Sequence, residues 1–123
     1  MDVVSLSCRS ERVTIDRDRM SRLYRRLGPA AAQSFVELAL EELAFWLYHC
    51  RGSDDAEAQR TAARRVDRLA RMTGLVSVAE VAGLLAAPPP SVPAAARAAI
   101  AARLTRLGER SILALWDGED IAP

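Results

Sequence analysis

The chain has 123 residues, half of them apolar, and its 17 basic and 16 acidic residues leave a formal net charge of +1. That length suits one domain with one core, and the apolar content excludes a disordered chain. The near-balanced charge argues against a general nucleic-acid binder, whose domains are strongly basic.

No apolar run is long enough to span a bilayer. The start, MDVVSLSCRS, lacks a basic region followed by an apolar one, so secretion is not indicated. Cys8 and Cys50 are far apart, without metal-ligand spacing. They read as free thiols of a cytoplasmic protein. Every basic residue is arginine, a bias that genome composition explains as well as function does.

Residues 1–13 alternate weakly, with Val4, Leu6 and Cys8 on one side, as an extended arm or leader would. A first helix follows Asp16, an N-cap residue, and places Met20, Leu23, Tyr24 and Leu27 on one face. Gly28-Pro29 ends it and opens the next. The second helix, from Pro29 to about Cys50, is the most apolar. Phe35, Leu38, Ala39, Leu43, Trp46, Leu47 and Cys50 form its predicted stripe, widened by Val36 and Leu40, with Glu37, Glu41 and Glu42 on the wet side. It reads as the central helix of a bundle.

The third helix begins at Ser53 or Asp54, with acidic residues in its first turn, and ends at Gly74. Its short connection to the second predicts antiparallel neighbours. Ala58, Ala62, Val66, Leu69 and Thr73 make the buried stripe. Arg60, Arg64, Arg68 and Arg71 recur on the opposite side, with Arg65 at the edge. This row is the first docking surface to consider; a solvated face offset by Glu57 and Asp67 is the plainer reading.

Ser77 and Glu80 have the spacing of a capping box for a short fourth helix that buries Val78, Val81, Ala82 and Leu85. Residues 88–93, PPPSVP, form a stiff connector. From Pro93 the last helix carries Ala96, Ile100, Leu104, Leu107, Ser111 and Ala114 as its seam, thickened by Ile112, Leu115 and Trp116, with Gly108 weakening it locally. An acidic tail, Asp117 to Asp120, follows. No segment reads as a strand. The expected fold is all-α: one domain, core about 15–116, built as an antiparallel up-and-down four-helix bundle with an N-terminal arm or extra short helix.

Groups for catalysis are scarce. His49 is the only histidine, and no second base, acid or metal ligand converges on it in sequence. Cys50 is poorly placed to use it as a base, because adjacent helix residues point about 100° apart. Gly74 and Gly83 stand alone, so there is no phosphate loop. Neither catalytic residues nor a metal or other cofactor are expected.

Leu69 to Leu85 has some spacing of a helix-turn-helix, but its apolar residues Val81 and Leu84 come one step late. A DNA-binding regulator using the helix after Ser77 is therefore an alternative, and a structural, self-associating bundle is another.

The stretch from Ile15 to Trp116 also resembles a histidine-phosphotransfer (Hpt) domain of bacterial phosphorelays. The likeness begins at Ile15-Asp16, continues at the Leu27-Gly28 break and is clearest from Ala63 to Leu85. The family carries an Ala-His pair, then a hydrophobic residue two positions on, a Lys-Gly pair, a small residue six positions on and a glycine ten positions on. Ala63, Val66, Ala70 and Gly74 match those places, and Val78, Ala79 and Ala82 suit the following helix. The histidine place is taken by Arg64 and the Lys-Gly pair by Asp67-Arg68. A guanidinium stays protonated and has no nucleophilic lone pair, so the resemblance implies a degenerate member without phosphotransfer. Its expected partner is a receiver domain or histidine kinase, met through Arg60, Arg64, Arg65, Arg68 and Arg71.

Overall fold

The computed structural model describes residues 12–88 and 92–117, without the side chains of 116 and 117. The arm residues Val4, Leu6 and Cys8, the middle of the proline connector, the Trp116 side chain and the acidic tail beyond Asp117 lie outside the described residues. Those described form five helices: α1 Arg17–Leu27, α2 Pro29–Gly52, α3 Ala56–Thr73, α4 Val76–Ala86 and α5 Ala94–Asp117. Among the described residues there is no strand, only an isolated antiparallel bridge between Ile15 and Leu75. No helix there is long and apolar enough to cross a membrane.

α1 starts where Asp16 accepts a hydrogen bond from the Arg19 N–H at 3.1 Å, and it stops at Gly28, whose N–H reaches the Tyr24 carbonyl at 2.9 Å. Met20 is buried, but Leu27 is exposed rather than part of the buried face. α2 buries Ala32, Val36, Ala39, Leu40, Leu43, Leu47 and Cys50. The predicted stripe is rotated: Leu38 is 65% exposed, while Phe35 and Trp46 pack only at the edge of the core. α2 is apolar on too many sides for periodicity to single out one face.

α3 opens one or two residues later than expected. Asp55 is its N-cap, accepting from the Glu57 N–H at 3.0 Å, while the Ser53 hydroxyl accepts from the Asp55 N–H at 3.2 Å. Its buried face is Gln59, Ala62, Ala63, Val66, Ala70 and Thr73. Ala58 is exposed and Leu69 half-buried, so the true face lies toward Ala63 and Ala70.

The turn from α3 to α4 holds the N-terminal arm. Gly74 is left-handed at φ +77°. The Leu75 N–H bonds the Ala70 carbonyl at 2.8 Å and the Gly74 N–H bonds that of Arg71 at 3.4 Å, a Schellman closure. Ser77 is not an N-cap; that position belongs to Leu75, without a side-chain cap. The Ser77 hydroxyl is buried, accepting from the Thr14 N–H at 2.7 Å and donating to the Arg12 carbonyl at 3.0 Å. In return the Thr14 carbonyl accepts from the Val76 N–H at 3.0 Å, and the Gly74 carbonyl from the Asp16 N–H at 2.7 Å. Backbone from the arm therefore does the capping that a side chain was expected to do.

On α5, Ala101, Leu104, Leu107, Ser111 and Leu115 are buried, and Leu115 takes the place expected for Ala114. Gly108 leaves the helix unbroken and lies against Leu47, where a Cβ would overlap that side chain. α2 packs on α3 and α5, and α4 packs on the same two helices, while α1 lies across α2 and α3. One continuous core runs through all five helices.

The end of α2 is tied to the start of α3. The Gln59 amide donates to the Cys50 carbonyl at 3.0 Å, and the Cys50 thiol, 4.0 Å from the Gln59 carbonyl, donates back. That carbonyl lies in the last turn of α2, where intrahelical donors run out, and Gln59 supplies its partner from α3. Burial pushes the Cys50 thiol up to about 12 from its ordinary 9.0. The folded state thus holds a proton that the unfolded chain releases above pH 9. Stability from this group is intact below pH 9 and falls as pH rises toward 12, by at most about 1.4 kcal/mol per pH unit. Urea melts from pH 8 to 11 should show that decline, and a Cys50→Ala chain should show less of it. Thiol reagents at pH 8 should leave Cys50 unmodified until the protein unfolds.

Candidate protein-docking face on α3

The five candidate arginines all lie on α3, whose inner face of alanines and Val66 is held against α2 and α4. The row does not act as one unit. Arg60 is ion-paired to Glu57 one turn back. Arg71 is ion-paired to Asp67, Nε to Oδ1 at 2.9 Å. These are the offsets a solvated face would have, and pairs of this kind contribute little to stability.

Arg64, Arg65 and Arg68 are exposed, and among the described residues no carboxylate is paired with them. Among the described residues the hydrogen bond of the Arg64 side chain is to the Thr61 hydroxyl, at 3.3 Å. The Arg65 guanidinium sits 5.1 Å from the centroid of the Trp46 ring on α2, a cation–π distance. Trp46 thus holds Arg65 on the α2 side of α3. Arg71 turns the other way, lining an open cleft of about 540 Å³ with Asp16, Arg19, Arg22 and Glu80 at the Gly74 turn.

Sequence spacing placed the arginines on one helix and one broad face, and they are there. It missed the division of that face into paired ends and an unpaired middle. The signal was present for the ends, since Glu57–Arg60 and Asp67–Arg71 are spaced three and four apart. It was absent for Arg65, because the ring that holds it belongs to another helix.

His49 is exposed at the end of α2, its ring 4.4 Å from that of Phe45 and 5.8 Å from that of Trp46. Cys50 is buried on another side of the helix. Among the described residues no group of His, Cys, Asp and Glu side chains could hold a metal ion. The face can therefore offer planar, permanently charged donors to an acidic surface. Comparisons with family models, with curated proteins and with solved structures found no match for this chain.

Proposed function

We propose that this protein is a phosphotransfer-silent, Hpt-like docking module of two-component signalling, which binds the acidic pocket of a receiver domain through α3. The ring of α2, α3, α4 and α5 is read as an antiparallel up-and-down four-helix bundle, with α1 as the extra short helix. The observation that carries the proposal is the state of Arg64. In the resemblance it takes the place of the family's phosphohistidine; it is exposed, and among the described residues its hydrogen bond is to a neutral hydroxyl, while Arg60 and Arg71 on either side are already paired. An arginine presented in this way suits a cluster of carboxylates, which it can grip with two parallel hydrogen bonds.

The DNA-binding alternative has less support. α4 buries Ser77, Val78, Ala79, Val81, Ala82 and Leu85, and its exposed residues include Glu80 and Leu84, which offer nothing to a phosphate backbone.

Affinity for purified, unphosphorylated receiver domains from the same cell tests the proposal. Arg64→Glu should weaken binding about tenfold or more, whereas Arg25→Glu, on the exposed side of α1, should change it less than about threefold. Arg64→Lys, which keeps charge and loses the planar fork, should fall between them. Equal losses for Arg64→Glu and Arg25→Glu would reduce the effect to general charge. Acetyl phosphate should leave no acid-labile phosphate on the chain; a phosphate lost in His49→Gln would make it a true transfer intermediate instead.

A further inference from the structure

The outer side of α2 is unusual for a helix that also supplies much of the core. Ala31, Phe35, Leu38, Glu42, Phe45 and His49 follow one another at alternating steps of four and three. That is the spacing of a coiled-coil seam, yet in this chain the seam faces outward. Leu38 is 65% and Phe45 54% exposed, and Ala31, Glu42 and His49 are exposed as well. Large apolar residues arranged in register on a surface mark an interaction site more than scattered ones do.

The neighbouring helix indicates what covers it. α2 and α3 run in opposite directions, since Cys50 meets Gln59, Trp46 meets Arg65, and Phe35 and Met72 line one hollow. Counted along that pair, Glu42 stands at the height of Arg68. The α2 half of the face is apolar with an exposed carboxylate, and the α3 half carries the unpaired Arg65 and Arg68. The face is thus complementary to itself. A two-fold axis parallel to the helices would lay each α2 over the α3 of the other copy. Glu42 would then meet Arg65 and Arg68 twice over, with Leu38 and Phe45 between the layers.

We infer that the α2–α3 face is a homodimer interface, in which Leu38 and Phe45 are the apolar anchors and Glu42 pairs with Arg65 and Arg68 of a second copy. An 18-residue helix is about 27 Å long, and two helices side by side are about 20 Å wide. The face therefore covers on the order of 500 Å² per partner, below the usual size for a permanent complex and suited to a reversible dimer. The inference needs no other protein and does not depend on the receiver-docking proposal.

Sedimentation of the full chain between about 1 and about 500 µM tests it, a range that brackets a micromolar dissociation constant. The expected result is a monomer–dimer equilibrium whose dissociation constant rises about tenfold or more in Leu38→Asp and in Phe45→Asp. Both sites are exposed, so helical content by circular dichroism should stay unchanged. Charge exchange is the sharper test. Glu42→Arg alone and the double change Arg65→Glu with Arg68→Glu should each be monomeric, because like charges then face each other. Mixed together, the two variants should form a mixed dimer, in which every contact again joins opposite charges. A chain that stays monomeric over the whole range overturns the inference. So does a dimer indifferent to Leu38→Asp and Phe45→Asp, or a mixture in which the two charge variants remain apart.

Discussion

Leu43→Ala is expected to lower stability by about 2–5 kcal/mol, the range for truncating a fully buried leucine. Leu38→Ala, five residues away on the same helix, is expected to change it by less than about 0.5 kcal/mol. Leu43 has 0% exposure and sits in the core cluster with Val66 and Leu104, whereas Leu38 is mostly in water. A marginally stable domain has about 5–15 kcal/mol in total, so the first change alone could leave a large unfolded fraction. Urea melts of both variants with unchanged slopes would measure the difference. Comparable losses at the two positions would mean that α2 is rotated about its axis from the orientation described.

Gly74→Ala should cost about 2–5 kcal/mol, from two sources that one further variant separates. The left-handed conformation costs a residue with a Cβ roughly 1–2 kcal/mol, and Gly74 has φ +77°. In addition, a Cβ there would lie 2.8 Å from the Asp16 carbonyl oxygen, which is backbone and cannot swing aside. Relieving that overlap should cost about 1–3 kcal/mol more. Asparagine tolerates the left-handed region, so dihedral strain alone would make Gly74→Asn milder than Gly74→Ala. The close approach of Asp16 predicts that both are severe. It also predicts that each loosens the arm, read as faster hydrogen exchange at the Asp16 amide, which bonds the Gly74 carbonyl at 2.7 Å. A mild Asn variant with an undisturbed Asp16 amide would show that the arm is not held against this turn.

If Arg65 and Arg68 serve a second copy of the chain, they are not free for a receiver at the same time. Arg64 lies at the middle of the row, one position from Arg65. Dilution would then expose more of the α3 face, and receiver binding should strengthen as the dimer dissociates.

Several features were determined locally. Asp16 as a cap, the Gly28-Pro29 break, the Gly74 stop and the helices of the described residues follow from residues a few positions apart, because capping and helix termination are settled within one turn. The arginines' common face follows from helical geometry alone. Features that depend on a distant partner were not legible. Ser77 and Glu80 have the spacing of a capping box, yet the Ser77 hydroxyl bonds Thr14 and Arg12, more than sixty residues away in sequence. α2 carries two apolar stripes, and the packing of α3 and α5 chose the one through Leu43 and Leu47, leaving Leu38 and Phe45 outside. Arg60 and Arg71 were offset by carboxylates on their own helix, while Arg65 was positioned by a tryptophan on another. A helix's period names the faces it has; which face meets the core depends on the surfaces its neighbours bring, and only the tertiary structure supplies those.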